Sequence, residues 1–221
     1  MKIFLIILNI IFINLKLFAE ENLNYDTEIT TDSGITLYQN EKYYELIDNV
    51  KIKSQNFNLK AENVIAYYKD DLYDLVKIIA KKNAEIDTLD GAIITGDEII
   101  YEIESGNFFI SGNGFFSNEK LTIKSDEIKG EIKEFNKEKY INIVEAKDNK
   151  KVYIENQNMK SYSKSAIYSK DNNLLELFDE VKIIKGQEIT TGDYASINME
   201  TNNYSIKSIN NKVQLLISSE D

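Results

Sequence analysis

The residues best placed to do chemistry are two carboxylate doublets, Asp97-Glu98 and Asp126-Glu127. Paired carboxylates on a β framework suit glycoside hydrolysis, where one acts as acid and the other as base or nucleophile. Neighbours along a strand point to opposite faces, so neither doublet makes a paired site by itself. A hydrolase would need carboxylates from different strands converging in a polar cleft. Other chemistry is scarce. The 221-residue chain has no Cys, His, Pro or Trp, and all 26 of its basic residues are lysine. Cys–His and Ser–His–Asp nucleophilic sites are therefore excluded, and zinc sites nearly so. No catalytic residue, metal site or cofactor site is assigned, and the chain is read as a non-enzyme.

The elements that would position such groups announce themselves by repetition. A small residue followed by an acidic or polar one opens an alternating apolar stretch at Thr31-Asp32, Ala61-Glu62-Asn63-Val64, Gly96-Asp97-Glu98-Ile99, Ser125-Asp126-Glu127-Ile128 and Gly192-Asp193-Tyr194-Ala195. Lys164-Ser165-Ala166-Ile167 is a degenerate copy. Counted at the second position of each, the steps are 30, 35, 29, 39 and 28 residues. Recurrence at that length marks stacked supersecondary units that bury their faces on one another. The acidic residues are expected at the starts of strands, accepting hydrogen bonds from free backbone donors.

Period-2 alternation is the content of each unit. Val50-Lys51-Ile52-Lys53, Phe57 to Ala61, Ile99 to Ile103, Leu121 to Lys124, Val152 to Glu155, Val181 to Ile183 and Val213 to Leu215 all alternate, as strands with one buried face do. Asp70-Asp71, Ser105-Gly106-Asn107, Gly112-Asn113-Gly114, Lys170 to Asn173 and Thr201 to Asn203 read as turns between them. No helical period and no linker is visible. The fold class is all-β, in one elongated domain.

Met1-Lys2 precedes an apolar run from Ile3 to Phe18, interrupted only by Asn9, Asn14 and Lys16 and closed by Ala19 before Glu20-Glu21. That is the layout of a cleavable secretory signal, residues 1–19, ahead of a mature domain of residues 20–221. An uncleaved anchor would need about 20 apolar residues. Removing the signal takes away two lysines and moves the formal net charge from −11 to −13. So acidic a surface disfavours nucleic acid and other phosphate-held partners.

Read together, Ile29-Thr30-Thr31-Asp32, then Asp48-Asn49-Val50-Lys51-Ile52, then Leu59-Lys60-Ala61-Glu62 through Tyr67 resemble the LptA/OstA-like family of Gram-negative envelope proteins. The family unit runs I-T-A-D, then G-N-V-x-I, then L-x-A-D/E-x-x-x-Y. Asp48 stands here in place of the usual Gly. The pattern returns at Ile94 to Tyr101 with Gly112-Asn113-Gly114-Phe115, at Leu121 to Ile128, and at Ile189 to Ala195. It covers roughly Ile29 to Ile217, with Gly130 to Asn158 departing from it.

The resemblance implies an open, twisted antiparallel β-jellyroll built from OstA-like strand units. It implies a periplasmic carrier of lipopolysaccharide that holds lipid A acyl chains in an apolar groove. It also implies head-to-tail self-association and docking to LptC-like inner-membrane and LptD-like outer-membrane components. On that reading the groove faces fall on Ile52, Leu59, Ile99, Tyr101, Ile103, Phe108, Ile110, Leu121, Ile123, Val181, Ile183 and Ile197, any of which could equally be plain core. The docking edges fall on Ile29, Ile35 and Leu37 at one end and on Tyr204, Ile206, Val213, Leu215 and Ile217 at the other. Alternatives are a membrane-anchored LptC-like component and a structural or enzymatic β-solenoid of the envelope.

Overall fold

The computed structural model describes residues 27–54, 57–72, 74–136, 138–209 and 212–218. The expected signal and its cleavage point after Ala19 lie outside them. Fourteen strands follow in order: β1 (Thr27–Thr30), β2 (Gly34–Tyr38), β3 (Tyr43–Ser54), β4 (Phe57–Tyr68), β5 (Leu75–Thr88), β6 (Ile93–Glu102), β7 (Asn107–Ser117), β8 (Thr122–Phe135), β9 (Glu138–Glu155), β10 (Lys160–Ser169), β11 (Leu174–Lys185), β12 (Glu188–Asn198), β13 (Tyr204–Lys207) and β14 (Gln214–Ile217). They form one antiparallel sheet, β1-β3 through to β12-β13 in sequence order, with β2 also on β3 and β14 also on β12. The outer positions at both ends are thus split strands. β1 pairs with one half of β3 and β2 with the other, while β13 and β14 share β12 in the same way.

Strands of 10 to 18 residues are long against the usual five or six, because each bends at its middle and serves two layers. The odd-numbered strands turn on two successive residues of positive φ. These are Asp48-Asn49 (65° and 46°), Lys82-Asn83 (62° and 52°), Gly112-Asn113 (72° and 52°) and Asp179-Glu180 (60° and 51°). Ladder pairing skips them, which makes each a β-bulge that folds the sheet. At Gly112 a Cβ would also collide with the Asp97 carboxylate. The even strands answer with a small residue at the corner (Ala61, Gly96, Ser125, Ser163, Gly192), and the inward alternation resumes three residues later.

The repeat motif is therefore a corner and not the start of a strand. Gly112-Asn113-Gly114, expected as a turn between strands, likewise lies within β7. The acids accept chiefly from side-chain amides, because the neighbouring strand's asparagine sits directly opposite at the bulge. Asn49 Nδ2 donates to Asp32 at 2.9 Å, Asn83 Nδ2 to Glu62 at 3.2 Å and Asn113 Nδ2 to Asp97 at 3.0 Å. Only Asp193 follows the expectation closely, accepting from the Ile209 amide at 2.8 Å.

The degenerate copy has its own cause. Its equivalent of the acid is Lys164, one residue before the position counted in the sequence, because Ser163 is the small inward residue. β9 rounds this corner with a four-residue excursion, residues 148–151, instead of a two-residue bulge. Lys164 Nζ donates to the carbonyls of Asn149 (3.0 Å) and Lys150 (3.1 Å). A cation replaces the acid where the facing groups are acceptors.

The segment Gly130 to Asn158, left outside the repeat pattern, is the end of β8, the whole of β9 and the turn that follows it. Beyond Glu131 these two strands leave their neighbours and continue alone as an arm.

The two layers meet through their inward residues. Phe57 of one layer lies edge-on to Tyr101 of the other at 6.0 Å, and Phe116 packs on Tyr168 at 6.4 Å. In each pair the second residue lies two or three strands later in the sheet, so the layers are staggered. Burial of these faces is the main driving force for the fold.

Candidate lipid groove and docking edges

Every residue expected on the groove face points between the layers. Ile52, Ile110, Ile123 and Ile197 are fully buried, and Leu59, Ile99, Tyr101, Phe108, Leu121, Val181 and Ile183 nearly so. Ile103 is half-buried and packs against the same cluster. Over the middle of the roll these side chains fill a closed core. Burial pushes the phenol of Tyr101 up, and that of Tyr44 up to about 12.

The ends differ. At the N-terminal end Ile35 and Leu37 share the inward side of Leu46 and Tyr44 through their pairing, yet they are 57% and 39% exposed. With Ile29, Tyr44, Leu72 and Leu75 they line an apolar opening of about 310 Å³. At the C-terminal end Leu215 and Ile217 lie on the inward side of Thr190 and Glu188 and are 55% and 68% exposed. Val213 is exposed too, whereas Ile29, Tyr204 and Ile206 pack against the core. The stagger explains the asymmetry: the first strands of one layer and the last strands of the other have nothing opposite them. β1, β2, β13 and β14 also leave one backbone edge without a strand partner among the described residues, a surface that invites strand addition.

The carboxylate doublets do not converge. Asp97 is engaged with Asn113 at its corner, while Glu98 pairs with Lys81 at 3.1 Å on the outer face. Asp126 and Glu127 are exposed at the next even corner. Among the described residues no group of three acidic side chains is arranged to hold a metal.

Comparison with known proteins decides the family. A family model described as LptA/(LptD N-terminal domain) LPS transport protein matches residues 28–134 and again residues 93–203. The chain belongs to this LPS transport family. The second match is displaced from the first by the same distance as Asp97 from Asp32, which is two corner repeats. Among solved structures the chain is similar to LptH, the LptA-homologous periplasmic component of the lipopolysaccharide transport device of Pseudomonas aeruginosa. Identity is 13% and the TM-score 0.53, with 60% of this chain and 99% of LptH covered. That likeness shows the fold, an LptA-like jellyroll, carried here on a longer array. No curated protein sequence matches.

Sequence reasoning missed two parts of the site. Leu72 and Leu75 complete the N-terminal opening but sit in a turn and at a strand start, where alternation gives no warning. A seam between the rims of the two layers joins Asp90 to Lys170 and Tyr140 to Asp171, pairs too far apart in sequence for any local pattern to connect.

Proposed function

We propose that this LPS transport family member is a periplasmic carrier without a catalytic step. It holds lipid A acyl chains between its layers and passes them along a head-to-tail row of like rolls. The signal at residues 1–19 is its route to the periplasm. The observation that carries this reading is the staggered pair of ends. Each presents inward-facing apolar residues (Ile35 and Leu37, or Leu215 and Ile217) beside an open backbone edge. One end bares the layer that the other end lacks. A second copy, or a related domain, could continue both layers at once by β-augmentation while burying these side chains. The row would begin at an LptC-like inner-membrane component on the N-terminal edge and finish at an LptD-like outer-membrane component on the C-terminal edge.

Acyl chains gain about 25 cal/mol for each Å² of apolar surface they bury, so the interior holds them without charges. The phosphates of lipid A stay at the solvent face beside lysines, given the formal net charge of −13 once the signal is removed. The test is a photo-crosslinking residue placed in cells at Leu37, in the opening, and at Ile123, in the middle. Lipopolysaccharide adducts at both positions are expected. A folded, exported protein with no adduct at either position would overturn the carrier reading.

A further inference from the structure

The arm formed by β8 and β9 past Glu131 has no counterpart among the other hairpins. It continues for four residue pairs, Ile132 with Ile141 to Phe135 with Glu138, a reach of about 13 Å at strand rise. Neither β7 nor β10 pairs with it. At its root the ladder shifts register opposite buried Asn142, and the Ile132 amide donates to the Gly106 carbonyl at 2.9 Å. Gly106 has φ of 73°, and any Cβ there would strike the Ile132 carbonyl. The bulge at Asn142 is the mark of a hinge at the base of an element held by one ladder only, and Gly106 of the neighbouring β6–β7 turn fixes where that base sits.

The arm lies over the side of the roll, where the free rims of the two layers meet. Ile132 and Ile141 cover an apolar slot whose floor is Phe57, Ile86, Ile94, Tyr101 and Phe108. Phe57, Ile86 and Ile94 belong to one layer and Tyr101 and Phe108 to the other, so the slot lies where the two layers meet. Polar contacts fasten the arm and the rims together, with the Asp90 carboxylate partly buried among them. Lys170 Nζ pairs with Asp90 at 3.0 Å across the seam and sits over the Tyr140 ring at 5.2 Å. Tyr140 donates to Asp171 at 3.1 Å, and Lys133 pairs with the same carboxylate at 3.3 Å. At the tip, Phe135 is 69% exposed.

We propose that this arm is a side gate, and that swinging it out admits one acyl chain of an anionic amphiphile into the middle of the roll. The proposal rests on the carrier reading and adds a loading point between the two ends. Opening parts Lys133 and Tyr140 of the arm from Asp171 and the Ile141 amide from Asp90, and an anionic headgroup can then lie against the Lys133 and Lys170 ammonium groups. The acyl chain takes the place of Ile132 and Ile141 against the floor of the slot, so that floor stays covered. Phe135 gives the incoming lipid an apolar contact before the gate moves.

The absence of native cysteine makes the test clean. A variant carrying Lys133→Cys and Asp171→Cys, which ties the arm to the rim, is closed with a short bismaleimide, and uptake of 11-(dansylamino)undecanoic acid is followed by its fluorescence. Uptake is expected to slow strongly in the bridged protein but not in the two single-cysteine variants capped with N-ethylmaleimide. Asp90→Asn together with Tyr140→Phe, which leaves the core untouched, is expected to speed uptake about tenfold through loss of charge-assisted hydrogen bonds. Equal rates in bridged, capped and loosened proteins, with the probe bound to the same final level, overturn the gate and leave the carrier reading standing. Failure of every folded variant to bind the probe at any time overturns both.

Discussion

The middle of the roll and its two ends use the same inward alternation, yet they have opposite fates. Ile52 and Ile123 are fully buried, whereas Leu37 and Ile217, on the same side of the same sheet, are 39% and 68% exposed. The residue types do not differ. What differs is whether the other layer continues opposite them, and that follows from the stagger built at the corners. An inward-facing position in such an array is therefore core or contact surface according to its place along the roll.

The comparison can be broken most forcefully in the middle. Ile123→Ala is expected to lower unfolding stability by about 2–5 kcal/mol, the range for a large-to-small change in a closed core. Leu37→Ala should stay within about 1 kcal/mol, as exposed sites do. Urea unfolding of the two variants reads the contrast directly, and equal losses would mean that the N-terminal end is covered in solution.

A smaller effect on stability, but a decisive one on assembly, comes from the C-terminal end. Deleting residues 215–221 removes most of β14, which touches only one half of β12. The remainder should fold, still bind lipid and lose its concentration-dependent association in sedimentation velocity. Unchanged association in that truncation would remove the C-terminal edge as a docking surface.

The smallest effect sharpens the comparison from the side of the seam. Burial acts to raise the Asp90 carboxyl. Hydrogen bonds from Thr88 and Lys170, the Lys170 charge and the Ile141 amide outweigh it and hold the group below its ordinary value of 3.8. Tyr168 also faces this carboxylate. A lowered folded value means that the seam stabilises fully above the ordinary aspartate range and fades as pH falls through the lowered value. The stability difference between the protein and Asp90→Asn should therefore shrink in strong acid. A difference that is constant with pH would show that the carboxylate charge contributes nothing there.

Much of the architecture was legible because β structure writes a period of two. Val50 to Ile52, Leu121 to Ile123 and Val181 to Ile183 were readable as half-buried strands, and the corner motif marked the stacked units. The meaning of that motif was not legible. A small residue before an acid looks alike at the start of a strand and at a bend inside one, and only Asn49, Asn83 and Asn113 standing opposite decide between them. The copy at Ser163-Lys164 was misaligned by one residue for the same reason, since its partner corner on β9 has a different length.

By itself the amino-acid sequence determined an all-β chain of repeated hairpins, its resemblance to the LPS transport family and the exclusion of thiol and imidazole chemistry. These depend on local alternation, turn-forming residues and composition. Only the tertiary structure decided which inward residues are closed and which are open, and that the β8–β9 arm spans the seam. Those depend on how two layers are staggered and on contacts such as Asp90 with Lys170, which no short-range period encodes.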